Sequence, residues 1–123
     1  MSGRRQARRT ALFVLYQWDV TGRPLTSLYE GEVDEYARAL AEAVAENAAE
    51  LDARISAAAH DWSAGRLGAL ERNILRIALS ELDGGEVPAE VAIDEAVSLA
   101  KRYTSPDAGR LVNGILGRVV KAA

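Results

Sequence analysis

Leu70-Glu71-Arg72-Asn73-Ile74-Leu75-Arg76-Ile77-Ala78-Leu79-Ser80-Glu81-Leu82, followed by Asp83-Gly84-Gly85, is the stretch on which the fold turns. Leu70, Ile74, Ile77, Ala78 and Leu82 recur at three or four residues, the spacing of one helix face. The glycines after Asp83 supply the usual C-terminal stop. Such an apolar helix belongs in the centre of the core.

Working outward, every neighbouring segment also reads as helix. The chain is rich in Ala, Leu, Glu and Arg, lacks sustained period-two alternation, and places its three prolines near helix starts or loops. A first helix is expected from about Arg5 to Val20, with Ala7, Ala11, Leu15 and Trp18 on one face and Thr21-Gly22-Arg23-Pro24 ending it. A short helical turn near Leu25 to Tyr29 follows. The next helix runs from about Val33 to Ala59, with Tyr36, Leu40, Val44, Ala48, Leu51 and Ile55 as its apolar stripe and Glu42, Glu46 and Glu50 as a solvated acidic row. Trp62 to Leu67 reads as a helical connector. Pro88 suits the first turn of a helix that buries Val91, Ala92, Ala96, Leu99, Ala100 and Tyr103. Ser105 is a candidate N-cap and Pro106 the first residue of a last helix. The expectation is an all-α fold, one domain over residues 1–123, with no internal repeat.

That last helix carries residues that helices disfavour. Leu111, Val112, Ile115, Leu116 and Val119 keep helical spacing around Asn113, Gly114 and Gly117, although each glycine costs about 1 kcal/mol relative to Ala. Gly114 and Gly117 lie about one turn apart, so a close approach by a neighbouring helix is the expected reason for them.

At 123 residues a single domain buries roughly two thirds of its unfolded surface, enough for a real core. The absence of cysteine excludes disulfides and thiolate metal sites, and a single His makes a histidine metal site a poor reading, so no metal or cofactor is expected. The longest apolar runs, such as Ala11 to Tyr16, are far shorter than the roughly 20 residues of a membrane span. A soluble, cytoplasmic protein follows as the expectation. The net charge is −3, but Arg4, Arg5, Arg8 and Arg9 place +4 in the first ten residues, leaving 11 basic against 18 acidic side chains in the rest. A basic arm sits on an acidic body.

No catalytic pattern accompanies it. G-x-S-x-G, the P-loop and G-x-G-x-x-G are all missing, and Gly84-Gly85 follows a helix rather than a strand. His60 beside Asp61 reads as a structural or exposed histidine. Asp94 and Glu95, adjacent on a helix, splay about 100° apart and make a poor dyad. The arm is more informative, because cations at a helix N-terminus oppose the macrodipole. Arg5, Arg9, Phe13 and Tyr16 run along one side of the first helix, so guanidinium groups lead towards an aromatic pair. Single-stranded RNA fits that pattern, with arginines on phosphates and an aromatic ring stacked on an unpaired base. A frayed, solvated terminus whose aromatics belong to the core fits it too.

Arg5-Gln6-Ala7-Arg8, Leu15-Tyr16-Gln17-Trp18, the run from Leu70 to Leu82, Val87-Pro88, Ala92-Ile93-Asp94-Glu95-Ala96-Val97, Leu99-Ala100-Lys101 and the closing Val112-Asn113-Gly114-Ile115-Leu116 together resemble the bacterial NusB antitermination family. The resemblance spans essentially the whole chain and is weak between Thr21 and Asp61. It implies about seven helices in two small packed bundles and a non-catalytic protein that binds the boxA element of nascent ribosomal RNA leaders. It also implies a companion, NusE, a small-subunit ribosomal protein, and contact with other Nus factors and RNA polymerase through the complex. By resemblance, Arg4, Arg5 and Arg8 are RNA-contacting arginines, whereas Arg9 matches no fixed one. Tyr16 and Glu71 resemble positions near the NusE surface, and Lys101 and Asp107 positions on the RNA-facing side. Arg110 and Leu111 border the same path, and Tyr16 also belongs to the RNA set. One departure is Leu111, where the family often has Phe. An aliphatic side chain cannot stack as an aromatic does, so a lower intrinsic RNA affinity, or compensation by Tyr16, is expected.

Two other readings remain beside this one. A NusB-like domain of a ribosomal RNA cytosine methyltransferase is disfavoured by the lack of an S-adenosylmethionine-binding βαβ unit between Met1 and Ala123. A purely protein-binding helical module would use the acidic row to dock a basic partner. The sequence is also compatible with a homodimer that hides the RNA surface.

Overall fold

In the computed structural model, which describes residues 3–59 and 66–122, helix α3 occupies Ala69–Gly84. From Asn73 to Leu79 every residue is buried, Asn73 and Arg76 included, so this stretch of the helix is enclosed on all sides. Gly85 ends it in the left-handed region (φ 77°), returning its N–H to the Leu82 carbonyl.

Four further α-helices surround it: α1 (Arg4–Thr21), α2 (Glu35–Ala58), α4 (Ala89–Tyr103) and α5 (Pro106–Ala122). α1 and α2 pack on each other and on α3, as do α4 and α5, and α2 also meets α5. The buried apolar side chains nevertheless form one continuous cluster drawn from all five helices. The start signals behave as the residue types dictate. Asp34 caps α2 by accepting from the N–H groups of Tyr36 and Ala37, and Ser105 Oγ caps α5 by accepting from Ala108 N–H at 3.1 Å. Pro88 sits one position earlier than expected, as the residue before α4.

Three expectations need correction. The expected seven helices become five among the described residues, because Leu25–Ser27 closes only a three-residue 3-10 turn, and the connector from Trp62 to Gly65 lies outside the described residues, with His60 and Asp61. Val91, assigned to the buried stripe of α4, is exposed, whereas Ala92, Ala96 and Ala100 are buried. Gly114 and Gly117 of α5 mark no close helix approach among the described residues. Among the described residues a Cβ added at Gly117 meets nothing within 4 Å, and one at Gly114 meets only the Arg118 guanidinium at 3.6 Å. That guanidinium spans from α5 to α2, donating to the Ala58 carbonyl.

Gly117 therefore carries the helical entropy cost of glycine with no compensating contact among the described residues. Gly117→Ala is expected to stabilise the protein by about 0.5–1 kcal/mol. A rise in the urea midpoint with an unchanged slope is the expected result, and a fall would mean that the added methyl meets a neighbour.

Candidate nucleic-acid interface

The four arginines of the arm have four different fates. Arg4 lies over the Tyr36 ring at 4.6 Å, 3.7 Å from Glu86, and stays half exposed. The Arg5 side chain is 83% exposed and donates from Nε to Glu95 Oε1 at 2.9 Å, leaving the rest of its fork facing water. Arg9 is half-buried and has no carboxylate within 4.0 Å among the described residues.

Arg8 departs from its expected role. Its side chain is only 5% exposed, with Nε donating to both carboxylate oxygens of Glu81 at 2.8 and 3.0 Å and NH1 3.5 Å from Glu95. The reason is register: Ala11, Leu12 and Leu15 follow it at three, four and seven residues, so Arg8 stands on the buried stripe of α1. Burial disfavours the charged guanidinium, but the hydrogen bond and charge of Glu81, with Glu95 behind, outweigh it and raise its pKa. Tyr36 also donates its hydroxyl to Glu81. Its pKa is pushed up to about 12, first by burial and then by the hydrogen bond and charge of Glu81, with Arg4 and Arg8 opposing. One carboxylate thus joins α1, α2 and α3, and Arg8 extends the network to α4.

At the other end of α1, Asp19 Oδ2 accepts from Arg72 Nε at 2.9 Å, Asn73 Nδ2 at 3.0 Å and Arg76 NH1 at 3.1 Å. Arg76 reaches on to Asp52 of α2 at 2.6 Å and lies 5.8 Å from the Trp18 ring centre. Tyr16, three residues before Asp19, is exposed, and Glu71, next to Arg72, is partly buried in the first turn of α3. The two positions expected near a partner protein therefore flank one ionic clamp.

The remaining candidates gather where α4 meets α5. Asp107 and Arg110 pair with each other across one turn and are both exposed. Lys101 lays its stem on Gly109, where an added Cβ would come within 2.8 Å of the Lys101 Cγ. Leu111 is half-buried against the core. Arg5 and Arg9 do not reach this group directly. They border a separate cleft between α1 and α4, lined by Arg5, Arg8 and Arg9 on one side and Glu95, Ser98 and Arg102 on the other. Ser98 and Arg102 were not singled out from the sequence. Their spacing of three and seven residues from Glu95 puts them on one helix face, once Glu95 is known to face α1.

The NusB family model matches residues 5–121. This chain belongs to the NusB family. The transcription antitermination protein NusB of Rubrobacter xylanophilus is 42% identical over 120 residues, covering 92% of this chain and 86% of that protein. T. maritima NusB superposes with a TM-score of 0.86 at 34% identity, covering 98% of this chain and 92% of that one. A crystal structure of the antitermination factors NusB and NusE in complex with double-stranded RNA contains a chain similar at TM-score 0.85 and 32% identity, covering 98% of this chain and 97% of that one. As a NusB protein, the chain is a transcription antitermination factor and not an enzyme. No helix among the described residues is long and apolar enough to cross a membrane.

Proposed function

We propose that this NusB protein acts in the cytoplasm as a single RNA-binding domain, holding boxA RNA of nascent ribosomal transcripts jointly with NusE and meeting other Nus factors and RNA polymerase through that complex. The observation that carries the reading is the exposed guanidinium of Arg5, beside Arg4 at the N-terminus of α1, at the mouth of a cleft whose far wall is α4. Arg4 and Arg5 take phosphates there, Lys101 and Arg110 offer positive charge at the joint of α4 and α5, and Asp107 orients Arg110. Tyr16 and Glu71 face the partner. Arg8 is left out of the RNA set, because its side chain is committed to Glu81.

Two modest contacts on one RNA raise each other's effective concentration, so neither the RNA nor NusE has to bind tightly alone. A homodimer formed over the arm would compete with this assembly, and its test is the mass in solution with and without RNA.

Titration of boxA-containing and scrambled single-stranded RNA, each with and without NusE, tests the assignment, with a duplex arm because a relative binds double-stranded RNA. With three or four phosphates contacted, log affinity for boxA should fall with log salt at a slope of about −2 to −3. Arg4→Ala with Arg5→Ala should reduce that steepness by about 1.4, the share of two phosphates, with unchanged circular dichroism. Leu111→Phe should tighten boxA binding. Equal affinity for boxA and scrambled RNA, or no binding in any arm, overturns the reading.

A further inference from the structure

The cleft between α1 and α4 holds two arginines that neither the family resemblance nor the internal ion pairs account for. Glu95 is taken by Arg5 and approached by Arg8, and Arg8 is held by Glu81. Arg9 and Arg102 share the cleft without a carboxylate within 4.0 Å among the described residues. Among the described residues Arg102 meets the Tyr103 ring, 5.5 Å from its guanidinium carbon. Ser98, one turn before Arg102, adds a hydroxyl donor to the same wall. Two guanidinium groups and a hydroxyl on the walls of one cleft suit a tetrahedral oxyanion.

An aromatic site lies beside it. Phe13, four residues after Arg9 and so about 6 Å further along α1, is 39% exposed. Its ring meets Tyr103 edge to face, with centroids 5.0 Å apart and planes at 81°. That contact fixes the ring orientation while part of its surface stays open to solvent. A phosphate seat one helical turn from a held, exposed ring has the dimensions and chemistry of one nucleotide of a single strand.

We propose that Arg9, Ser98 and Arg102 seat one phosphate of bound RNA and that Phe13, braced by Tyr103, stacks the adjoining base. The assignment rests on the RNA-binding reading above and extends it to residues to which the family resemblance gave no role. It also explains how the chain does without the aromatic ring missing at Leu111: the stacking ring is Phe13 of α1, one helical turn from Arg9.

Phosphate and stacking contacts leave different signatures, and a salt series with the full chain separates them. Arg9→Ala with Arg102→Ala should weaken boxA binding and make the salt slope shallower by about 0.7, the share of one phosphate in a single strand. Arg102→Lys should restore most of the slope. Phe13→Ala should lose about 5- to 150-fold in affinity with the slope unchanged, and Phe13→Tyr should retain the affinity. If the wild-type protein binds boxA and the arginine pair variant matches it in affinity and slope, the cleft assignment is wrong and the broader RNA reading stands. If the wild type binds no RNA, both fall. If the pair variant loses NusE binding while RNA binding is unchanged, the cleft is a protein-docking site and the proposal is overturned.

Discussion

Glu81→Ala is expected to cost about 3–5 kcal/mol, a large fraction of the roughly 5–15 kcal/mol that holds a domain folded. The Glu81 side chain is 2% exposed and balances the buried Arg8 guanidinium through two hydrogen bonds while also accepting from Tyr36. Without it, Arg8 retains only Glu95 at 3.5 Å. An arginine cannot relieve the strain by losing its proton. Urea unfolding at neutral pH measures the loss. Replacing Arg8 by Met and Glu81 by Leu together, with Tyr36→Phe to remove the orphaned hydroxyl, should recover most of it, since a buried ion pair exchanged for apolar groups is often neutral or better. A loss below about 1 kcal/mol for Glu81→Ala would mean that Arg8 swings out to solvent, and would return it to the set of RNA-binding candidates.

The same network has an alkaline signature. Folded Tyr36 holds its proton up to a pKa of about 12, whereas the unfolded side chain releases it near its ordinary value of 10. The folded pKa is the higher one, so its stabilising contribution is complete below pH 10 and is lost as pH rises from 10 towards 12. In Glu81→Ala two of the causes of that elevation are gone, and the alkaline loss should be smaller.

Arg8 shows how much of this was legible in the residues. The helices could be read because their stripes are unbroken, from Ala7-Ala11-Leu15 in α1 to Val112-Ile115-Leu116 in α5, and the boundaries at Ser105 and Gly85 because such residues act over a few positions. The charged members of buried stripes carry a signal that was missed. Arg8 keeps step with Ala11, Leu12 and Leu15, and Glu81 with Ile74, Ile77 and Ala78, so two opposite charges stand on two core faces, each in need of the other. Their partnership spans 73 residues of sequence and no local pattern contains it. The α1–α4 cleft was hidden for the same reason, because Arg102 acquires meaning only when Glu95 is found against Arg5 and Arg8. Gly114 and Gly117 erred in the other direction. Their spacing suggested a helix crossing, whereas the tight approach is at Gly109 under Lys101, a position with no periodic signal.

Asp19→Ala is expected to cost about 2–3 kcal/mol and to weaken NusE binding more than RNA binding. Its carboxylate accepts from Arg72, Asn73 and Arg76, and removal leaves the Arg76 side chain, 6% exposed, to Asp52, Asn73 and the Trp18 ring. Arg72 still reaches the Leu67 carbonyl, so the loss should stay below that of Glu81→Ala. The functional effect follows from position. Tyr16 lies one turn before Asp19 on α1 and Glu71 directly precedes Arg72 on α3, so this clamp sets the spacing of the two side chains proposed to face NusE. The arm and the α1–α4 cleft lie at the opposite end of α1 and are held by Glu81 and Glu95. Comparison of the folded variant with the wild type, in urea unfolding and in separate titrations with RNA and NusE, distinguishes the two ends. Equal losses for both ligands would show that the clamp sustains the whole bundle, and an intact NusE affinity would remove Tyr16 and Glu71 from the partner surface.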